Sequence, residues 1–294
     1  QRGTTVERWE LLFVDVKKDL NGILGDDEWQ YVELLDEANA RGKVGRLKRW
    51  LYGMRQAASA WEEDYARSLE SEGFVRGVAA PTVFWNEERR ITLVAHGDDF
   101  TASGWRSEMT WLEKKMGEWY EIKTRGRLDG VAHGMQEMTI LNREINWNGH
   151  TLTYQADPKH VQIVAKEFGL EEWSKGLEVP ITRDVDEEDD ADDELQGSEV
   201  TRYRALAARI NYLSQDRVDV QFAAKEACRG MSKPKMKDYR KLKRLARYLI
   251  QHPRLTYEFK SRPRDDDDHV RLDVCTDSDW AGRKESRKST SGGV

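Results

Sequence analysis

The strongest constraint on the fold of this chain is a pair of strand-length apolar segments that both end at aspartate. Residues 8–16 contain the apolar run Leu-Leu-Phe-Val followed by Asp15 and a further valine, which predicts a buried strand. Thr92–His96 predicts a second strand, Gly97-Asp98-Asp99 a turn, and residues 100–103 a return strand. The sequence therefore predicts a hairpin with two carboxylates at its tip.

Several other segments have apolar side chains at helical spacing. They are residues 57–71, about 105–119, 157–168, 202–213 and 236–250. Pro158 suits the first turn of the third of these helices, and Gly73 is expected to end the first. The order strand, helix, strand, hairpin, helix in the first half of the chain predicts an α+β fold.

Many of the acidic residues are concentrated in two short tracts. Nine lie between Asp184 and Glu194 and four between Asp265 and Asp268, so that without these thirteen the formal net charge changes from -6 to +7. A basic remainder can follow a phosphate backbone. Residues 183–197 therefore predict a solvated acidic linker at a domain boundary.

No sequence feature indicates a membrane partner or a cysteine-based site. The longest apolar run, Leu11–Val14, is far shorter than the roughly 20 residues that a membrane-spanning helix needs. Cys228 and Cys275 are the only cysteines and no CxxC pair is present, which argues against a disulfide framework or a zinc site. We expect an intracellular protein of the cytoplasm or nucleus.

Three aspartates could form a two-metal site for phosphoryl transfer. Such a site needs several carboxylates around two cations roughly 3.5–4 Å apart, and Mg²⁺, or Mn²⁺ in its place, takes oxygen ligands. Asp15 and Asp98 would bridge the ions and Asp99 would complete the set. Gly-Asp-Asp is also an ordinary turn sequence, and an aspartate at a strand end can simply be exposed, so a purely structural role stays open.

The helix predicted at residues 236–250 has cationic side chains along one side. Its apolar side chains would pack inward, and the cationic side could bind phosphates. A helix face that is merely solvated is the alternative. The cationic residues are Lys237, Arg240, Lys241, Lys243, Arg244 and Arg247.

Residues 51–61, Leu-Tyr-Gly-Met-Arg-Gln-Ala-Ala-Ser-Ala-Trp, resemble the stretch Leu-Tyr-Gly-Leu-Lys-Gln-Ala-Pro-Arg-Ala-Trp of copia-type retrotransposon reverse transcriptases. Residues 13–22 are similar to the first catalytic motif of that family, and residues 96–99 stand where the family has Tyr-Val-Asp-Asp. Residues 203–213 and 243–249 resemble segments that follow the palm, and residues 276–292 resemble the opening strands of the ribonuclease H domain. The resemblance covers nearly the whole chain.

The resemblance implies an order of domains. A partial reverse transcriptase palm would occupy residues 1–150, with a thumb-like start at 151–182. Beyond the linker at 183–197, a helical thumb and connection region would occupy 198–262, and the start of a ribonuclease H-like domain 270–294. The basic fingers segment and the later ribonuclease H carboxylates would then lie outside this stretch, which leaves both an active and an inactive fragment open.

The resemblance also implies roles for individual residues. Asp15, Asp98 and Asp99 would bind Mg²⁺ together with the carbonyl of Val16, and Gln56 would line the nucleotide pocket. The first motif is one residue shorter than in the family and lacks its aromatic residue, so Leu20 or Asp19 would lie near the sugar 2′-hydroxyl.

Two further assignments rest on the same resemblance. Asp277 would be the first metal ligand of the ribonuclease H site, with an ordinary turn aspartate as the competing interpretation. Leu141-Asn142-Arg143 stands where a primer-gripping hairpin is expected.

The implied activity is RNA-directed DNA polymerisation by two-metal nucleotidyl transfer. Its partners would be an RNA template, a DNA primer, deoxynucleoside triphosphates and other segments of the Pol polyprotein. One alternative is a catalytically dead remnant that binds nucleic acid through the cationic helix. A remnant that only contacts other proteins is the third hypothesis.

Overall fold

The computed structural model describes residues 7–17, 29–34, 42–51, 53–131, 133–171, 173–182, 193–260, 273–280 and 287–293. The chain divides into two compact units, Gln1–Lys260 and Ser261–Val294. The helices are α1 (Ala57–Ser71), α2 (Arg106–Trp119), α3 (Lys159–Glu167), α4 (Ser198–Leu213), α5 (Gln221–Arg229) and α6 (Met236–Gln251). The strands are β1 (Trp9–Val16), β2 (Tyr31–Glu33), β3 (Val44–Arg46), β4 (Val75–Arg76), β5 (Val83–Asn86), β6 (Ile91–His96), β7 (Asp99–Trp105), β8 (Ile122–Leu128), β9 (Glu137–Ile140), β10 (Arg143–Trp147), β11 (Thr151–Gln155), β12 (Thr256–Lys260), β13 (Thr276–Ser278) and β14 (Ser291–Gly293).

The main sheet has the strand order β4-β5-β6-β7-β1-β8, and every neighbouring pair runs antiparallel. Strand β1 lies between β7 and β8 although it comes first in the sequence. Because successive side chains on a strand point to opposite faces, β1 contributes to two separate cores. The strand that carries Asp15 is therefore an inner strand of the sheet, flanked by β7 and β8.

One face of the main sheet packs against α1 and α2. The buried cluster there combines strand residues such as Leu12 and Val14 with Trp61 and Tyr65 of α1 and Leu112 of α2. The ring of Trp61 makes edge contacts with Tyr65, Phe100 and Tyr120. Fully burying such a side chain stabilises the fold by about 1.5–3 kcal/mol, so this cluster fixes α1 against the sheet.

The opposite face of the main sheet packs against a second antiparallel sheet of order β12-β11-β10-β9. The apolar contact is made by Phe13 of β1, Leu128 of β8 and Trp147 of β10, with Met138 and Ile145 beside them. Strand β12 follows the acidic tract in sequence and pairs with β11, which precedes it. The second sheet therefore joins segments from both sides of that tract.

Helices α3, α4, α5 and α6 form a helical cluster with its own core. Residues buried within it include Val164, Tyr203, Ile210, Ala224 and Leu245. The buried Tyr203 hydroxyl donates a hydrogen bond to the carbonyl of Ala227 at 2.7 Å, which satisfies the one polar group that this large side chain brings inside.

The sequence predictions of elements are largely confirmed. The predicted α+β class is confirmed at the level of antiparallel sheets combined with helices. Helix α1 has the predicted bounds 57–71, and the predicted hairpin is formed by β6 and β7, with Asp99 as the first residue of β7. Helix α5 was not predicted. Among the described residues, no helix is long and apolar enough to cross a membrane.

Candidate functional site

Strand β1 places Asp15 on the sheet face opposite α1 and α2. Leu12, Val14 and Val16 are buried against those helices, so Asp15 points the other way together with Phe13. In the register of β1 against β7, Asp15 is the direct partner of Asp99. Directly paired residues have their side chains on the same face, which brings two carboxylates together.

The turn that carries Asp98 is held by backbone contacts from two directions. His96 and Asp99 are paired, which leaves Gly97 and Asp98 as a two-residue loop, and Gly97 has a positive φ of 64° that suits such a turn. The N–H of Val16 donates to the Asp98 carbonyl at 2.9 Å. The indole N–H of Trp61 donates to the Gly97 carbonyl at 2.8 Å. The turn is thus tied to both β1 and α1.

The structure brings Asp15, Asp98 and Asp99 into one neighbourhood, and Arg125 of β8 lies between two of them. One guanidinium nitrogen, Nη2, is 3.0 Å from Oδ2 of Asp15 and 3.3 Å from Oδ1 of Asp99. The side chains of Asp15 and Asp99, called here the carboxylate pair, are 20% and 28% exposed. A single cation therefore bridges two half-buried anions.

The electrostatics of the site agree with this geometry. Burial raises the pKa of Asp99, Arg125 opposes that effect, and the negative charges of Asp98 and Asp15 raise the pKa further. The pKa of Arg125 is itself raised, first by its hydrogen bond to Asp15 and then by the charge of Asp99. Asp98 and Asp15 are thus each close enough to repel the carboxylate of Asp99.

A β-bulge on β8 determines where Arg125 points. Phe13 pairs with Gly126 but the next residue, Val14, pairs with Thr124, so Arg125 is an extra residue in the ladder. The bulge places Arg125 and Arg127 on opposite faces, although they are two residues apart. Arg127 contacts Glu113 of α2, while Arg125 contacts the carboxylate pair.

The donor set has the chemistry of a site for a hard divalent cation. Carboxylate oxygens at the end of two adjacent strands are ligands that Mg²⁺ and Mn²⁺ accept. Within the part of the chain that the structure describes, no three His, Cys, Asp or Glu side chains are arranged as a metal site. The residues fit such an ion by type, and Arg125 partly neutralises the carboxylate pair in this arrangement.

The other residues predicted for the palm are less closely gathered. Gln56 immediately precedes α1, is exposed and makes no capping hydrogen bond with its side chain. Val16 has its side chain in the core and its N–H on Asp98. Leu20 lies outside the described residues. Arg143, at the predicted primer-gripping turn, is bound to Asp216 at 3.0 Å.

The predicted cationic face of α6 is only partly open to solvent. Lys243 is exposed, whereas Arg247 donates from Nε to the carbonyl of Lys175 at 2.8 Å. Nε of Arg244 is buried and has no hydrogen-bond partner among the described residues. Lys237, Arg240 and Lys241 are half-buried and each takes part in at least one polar or electrostatic contact.

In the second unit, Asp277 lies on β13 and pairs with Gly292 of β14. Its side chain is exposed, and Oδ1 accepts a hydrogen bond from the N–H of Ser278 at 2.7 Å. This geometry agrees equally with two roles for Asp277: an aspartate that only stabilises the local backbone, and a metal-binding aspartate on a strand.

Sequence reasoning did not predict Arg125. Its position depends on the bulge and on contacts across 110 residues, for which the local sequence carries no signal. The glycine that follows it, Gly126, is a typical residue of a bulge and is the only local hint.

Comparison with known proteins finds similarity to transposon polyproteins over almost the whole chain. It is 23% identical over 301 residues to the retrovirus-related Pol polyprotein from transposon RE1 of Arabidopsis thaliana, an alignment that covers 99% of this chain. The chain is homologous to transposon Pol polyproteins. The corresponding polyprotein from transposon RE2 is 22% identical over 303 residues, again with 99% of this chain covered. No protein-family model matches the chain.

The chain spans about a fifth of the length of these Pol polyproteins, 19% in each case. An uncharacterized mitochondrial protein of Arabidopsis thaliana is 29% identical over 93 residues, which are 31% of this chain and 35% of that protein. The resemblance to copia-type elements drawn from the motifs is confirmed at the level of the Pol polyprotein.

Proposed function

We propose that this Pol homologue is a polymerase region that performs RNA-directed DNA synthesis with Asp15, Asp98 and Asp99 as its catalytic carboxylates. The observation that carries the proposal is the register of β1 on β7, which makes Asp15 and Asp99 direct partners beside the turn with Asp98. Homology over 99% of the chain to retrovirus-related Pol polyproteins supports it.

The proposal assigns the architecture as well. The main sheet with α1 and α2 would be a palm, and the helical cluster of α3, α4, α5 and α6 would act as thumb and connection. Residues from 270 onward would begin a ribonuclease H-like domain in which Asp277 is a metal ligand. Mg²⁺, or Mn²⁺, would be the cofactor.

When bound, the metal ions would activate the primer 3′-hydroxyl and neutralise charge on the nucleotide triphosphate. The contribution of the chain is to hold the carboxylates in place. Asp15 and Asp99 project from paired strands, and Trp61 and Val16 fix the turn that carries Asp98. Side chains on such rigid elements are positioned more accurately than side chains on loops.

Primer extension tests the assignment. The longer polyprotein region that includes this chain and its flanking segments would be assayed on a DNA primer annealed to poly(rA) with dTTP and Mg²⁺ or Mn²⁺. We expect Asp98→Asn and Asp99→Asn each to lower extension by about a hundredfold or more, because each removes a metal-binding carboxylate. Glu70→Gln, an exposed carboxylate on α1, is the matched control and should leave extension unchanged. Unaltered extension by Asp98→Asn would refute the assignment.

A second candidate function is nucleic-acid binding without catalysis. It is favoured by the cationic bridge of Arg125 across the carboxylate pair, together with the exposed Lys243 on α6. It predicts binding of RNA–DNA duplex that persists in EDTA and weakens steeply with salt. Binding that requires Mg²⁺ at every salt concentration would argue against it.

A further inference from the structure

We infer that Arg125 is a displaceable internal counter-cation that competes with divalent metal for the carboxylate pair, so that metal enters only when this side chain withdraws. The inference rests on the proposed function, because it concerns access to the same carboxylates. It assigns a role to a residue that neither the motifs nor the homology singled out.

The guanidinium group of Arg125 lies between the two carboxylates of the pair. Nη2 of Arg125 contacts Oδ2 of Asp15 at 3.0 Å and Oδ1 of Asp99 at 3.3 Å. A cation held by one oxygen from each carboxylate occupies the place between them that a bridging metal ion would need. The guanidinium and a metal ion cannot bind these two oxygens at the same time, since each would compensate the same negative charge.

The charges of the carboxylates exceed the charge of Arg125. Asp98 lies close enough to influence both Asp99 and Arg125, so three carboxylates face one guanidinium. The cation therefore offsets only one of three negative charges. A divalent ion would compensate the cluster better than Arg125 does, and the exchange is favoured once the ion reaches a sufficient concentration.

The side chain of Arg125 is free to leave the carboxylate pair. Its side chain is 50% exposed, whereas a locked ion pair in this chain, such as that of Arg217 with Asp219, has an arginine that is 1% exposed. Ion pairs with half-exposed arginines are individually weak, and a guanidinium that swings outward remains hydrated. The bulge on β8 directs the Arg125 side chain toward the carboxylate pair. Because an arginine side chain is long, its guanidinium can withdraw from the pair without movement of the strand.

Metal affinity tests this inference independently of catalysis. Binding of Mn²⁺ to the native chain and variants would be measured by calorimetry and by loss of the electron paramagnetic resonance signal of free Mn²⁺. We expect Arg125→Met, which keeps most of the side-chain volume, to bind Mn²⁺ about tenfold more tightly than the native chain. Arg125→Lys should lie between the two, because it keeps the charge but loses the forked geometry.

The matched control is Lys123→Met, which removes a cation from the same strand. Lys123 is the cross-strand partner of Asp15 and is exposed. If Lys123→Met tightens Mn²⁺ binding as much as Arg125→Met does, the effect is general electrostatics and the inference is overturned. Circular dichroism of every variant checks that the fold is retained. Should Arg125→Met not fold, Arg125→Gln provides the same comparison.

Two outcomes separate this inference from the proposed function. If Asp99→Asn abolishes Mn²⁺ binding while Arg125→Met and the native chain bind equally, the counter-cation role is overturned and the metal site stands. If Asp99→Asn binds Mn²⁺ as the native chain does, the carboxylate pair is not a metal site and both proposals fail.

Discussion

Arg217 illustrates how much a single residue can contribute to holding the helical cluster. Its side chain is 1% exposed and bonds both oxygens of Asp219 at 2.9 and 2.7 Å. It also donates to the carbonyls of His252 at 2.8 Å and Pro253 at 3.3 Å, which lie at the end of α6. A buried charge is tolerated here because it is paired and every group has a partner.

We expect Arg217→Met to lower the free energy of unfolding by about 3 kcal/mol, because Asp219 loses its cation and keeps the hydrogen bond from Tyr248, while two carbonyls lose a donor. The matched control is Arg254→Met, whose guanidinium is 58% exposed and 3.7 Å from Glu144. Loss of that surface ion pair should lower the free energy of unfolding by less than about 1 kcal/mol. Urea denaturation followed by fluorescence measures both. Equal effects of the two substitutions would contradict the assignment.

The single residue His160 makes the free energy of unfolding depend on pH. Burial lowers its pKa, and the nearby Arg209, whose Nη1 is 3.3 Å from Nδ1, lowers it further. The unfolded state therefore binds a proton at a higher pH than the folded state does, so the contribution of His160 is fully present above its unfolded pKa and is lost as pH falls from there through the lower pKa of the folded state. We expect the melting temperature to fall between about pH 7 and 5.5 less steeply in His160→Asn than in the native chain.

At the scale of elements, the sequence predicted what local patterns encode. Helix α1 was placed at its observed bounds because Trp61, Tyr65 and Leu69 recur at helical spacing and all are buried. Helix α5 was missed because its core side chains are the small Ala223, Ala224 and Ala227, which give a weak apolar pattern. The pairing of β12 with β11 was missed because the two strands are separated by about 100 residues, and no local pattern reports such a pairing.

The hairpin turn of β6 and β7 depends on the conformation of one glycine. Gly97 has φ of 64° and no atom within 4 Å of the place a Cβ would take, so the cost of Gly97→Ala is purely conformational. We expect a loss of about 1 kcal/mol in the free energy of unfolding. Gly117→Ala, within helix α2, is the matched control and should gain about 0.5–1 kcal/mol. Thermal denaturation distinguishes the opposite signs.

For the whole molecule, the acidic tract predicts a domain boundary, yet contacts connect the segments that flank it. Strand β12 pairs with β11, and Val161 and Val164 of α3 pack in the same core as residues of α4 and α6. The candidate site could be predicted from sequence as far as its three aspartates. The cation that completes it could not, because its place is set by how β8 pairs with β1.

We expect polypeptides 1–182 and 193–260, expressed together, to associate and purify as a complex. The reason is that α3 and β11 of the first bury apolar surface against α4, α6 and β12 of the second. Co-purification through a tag on one polypeptide, followed by a thermal melt of the complex, measures this. Two polypeptides that melt cooperatively and separately, without binding each other, would establish independent domains instead.

The position of β1 between the later strands β7 and β8 affects how the chain folds during its synthesis. A ribosome releases Trp9–Val16 long before Asp99–Trp105 and Ile122–Leu128, the two segments that flank it. At translation rates of about 5–20 residues per second, the earlier segment waits several seconds with its hydrophobic side chains unpaired. Nascent chains of this protein should therefore require chaperones most until both flanking segments have emerged from the exit tunnel.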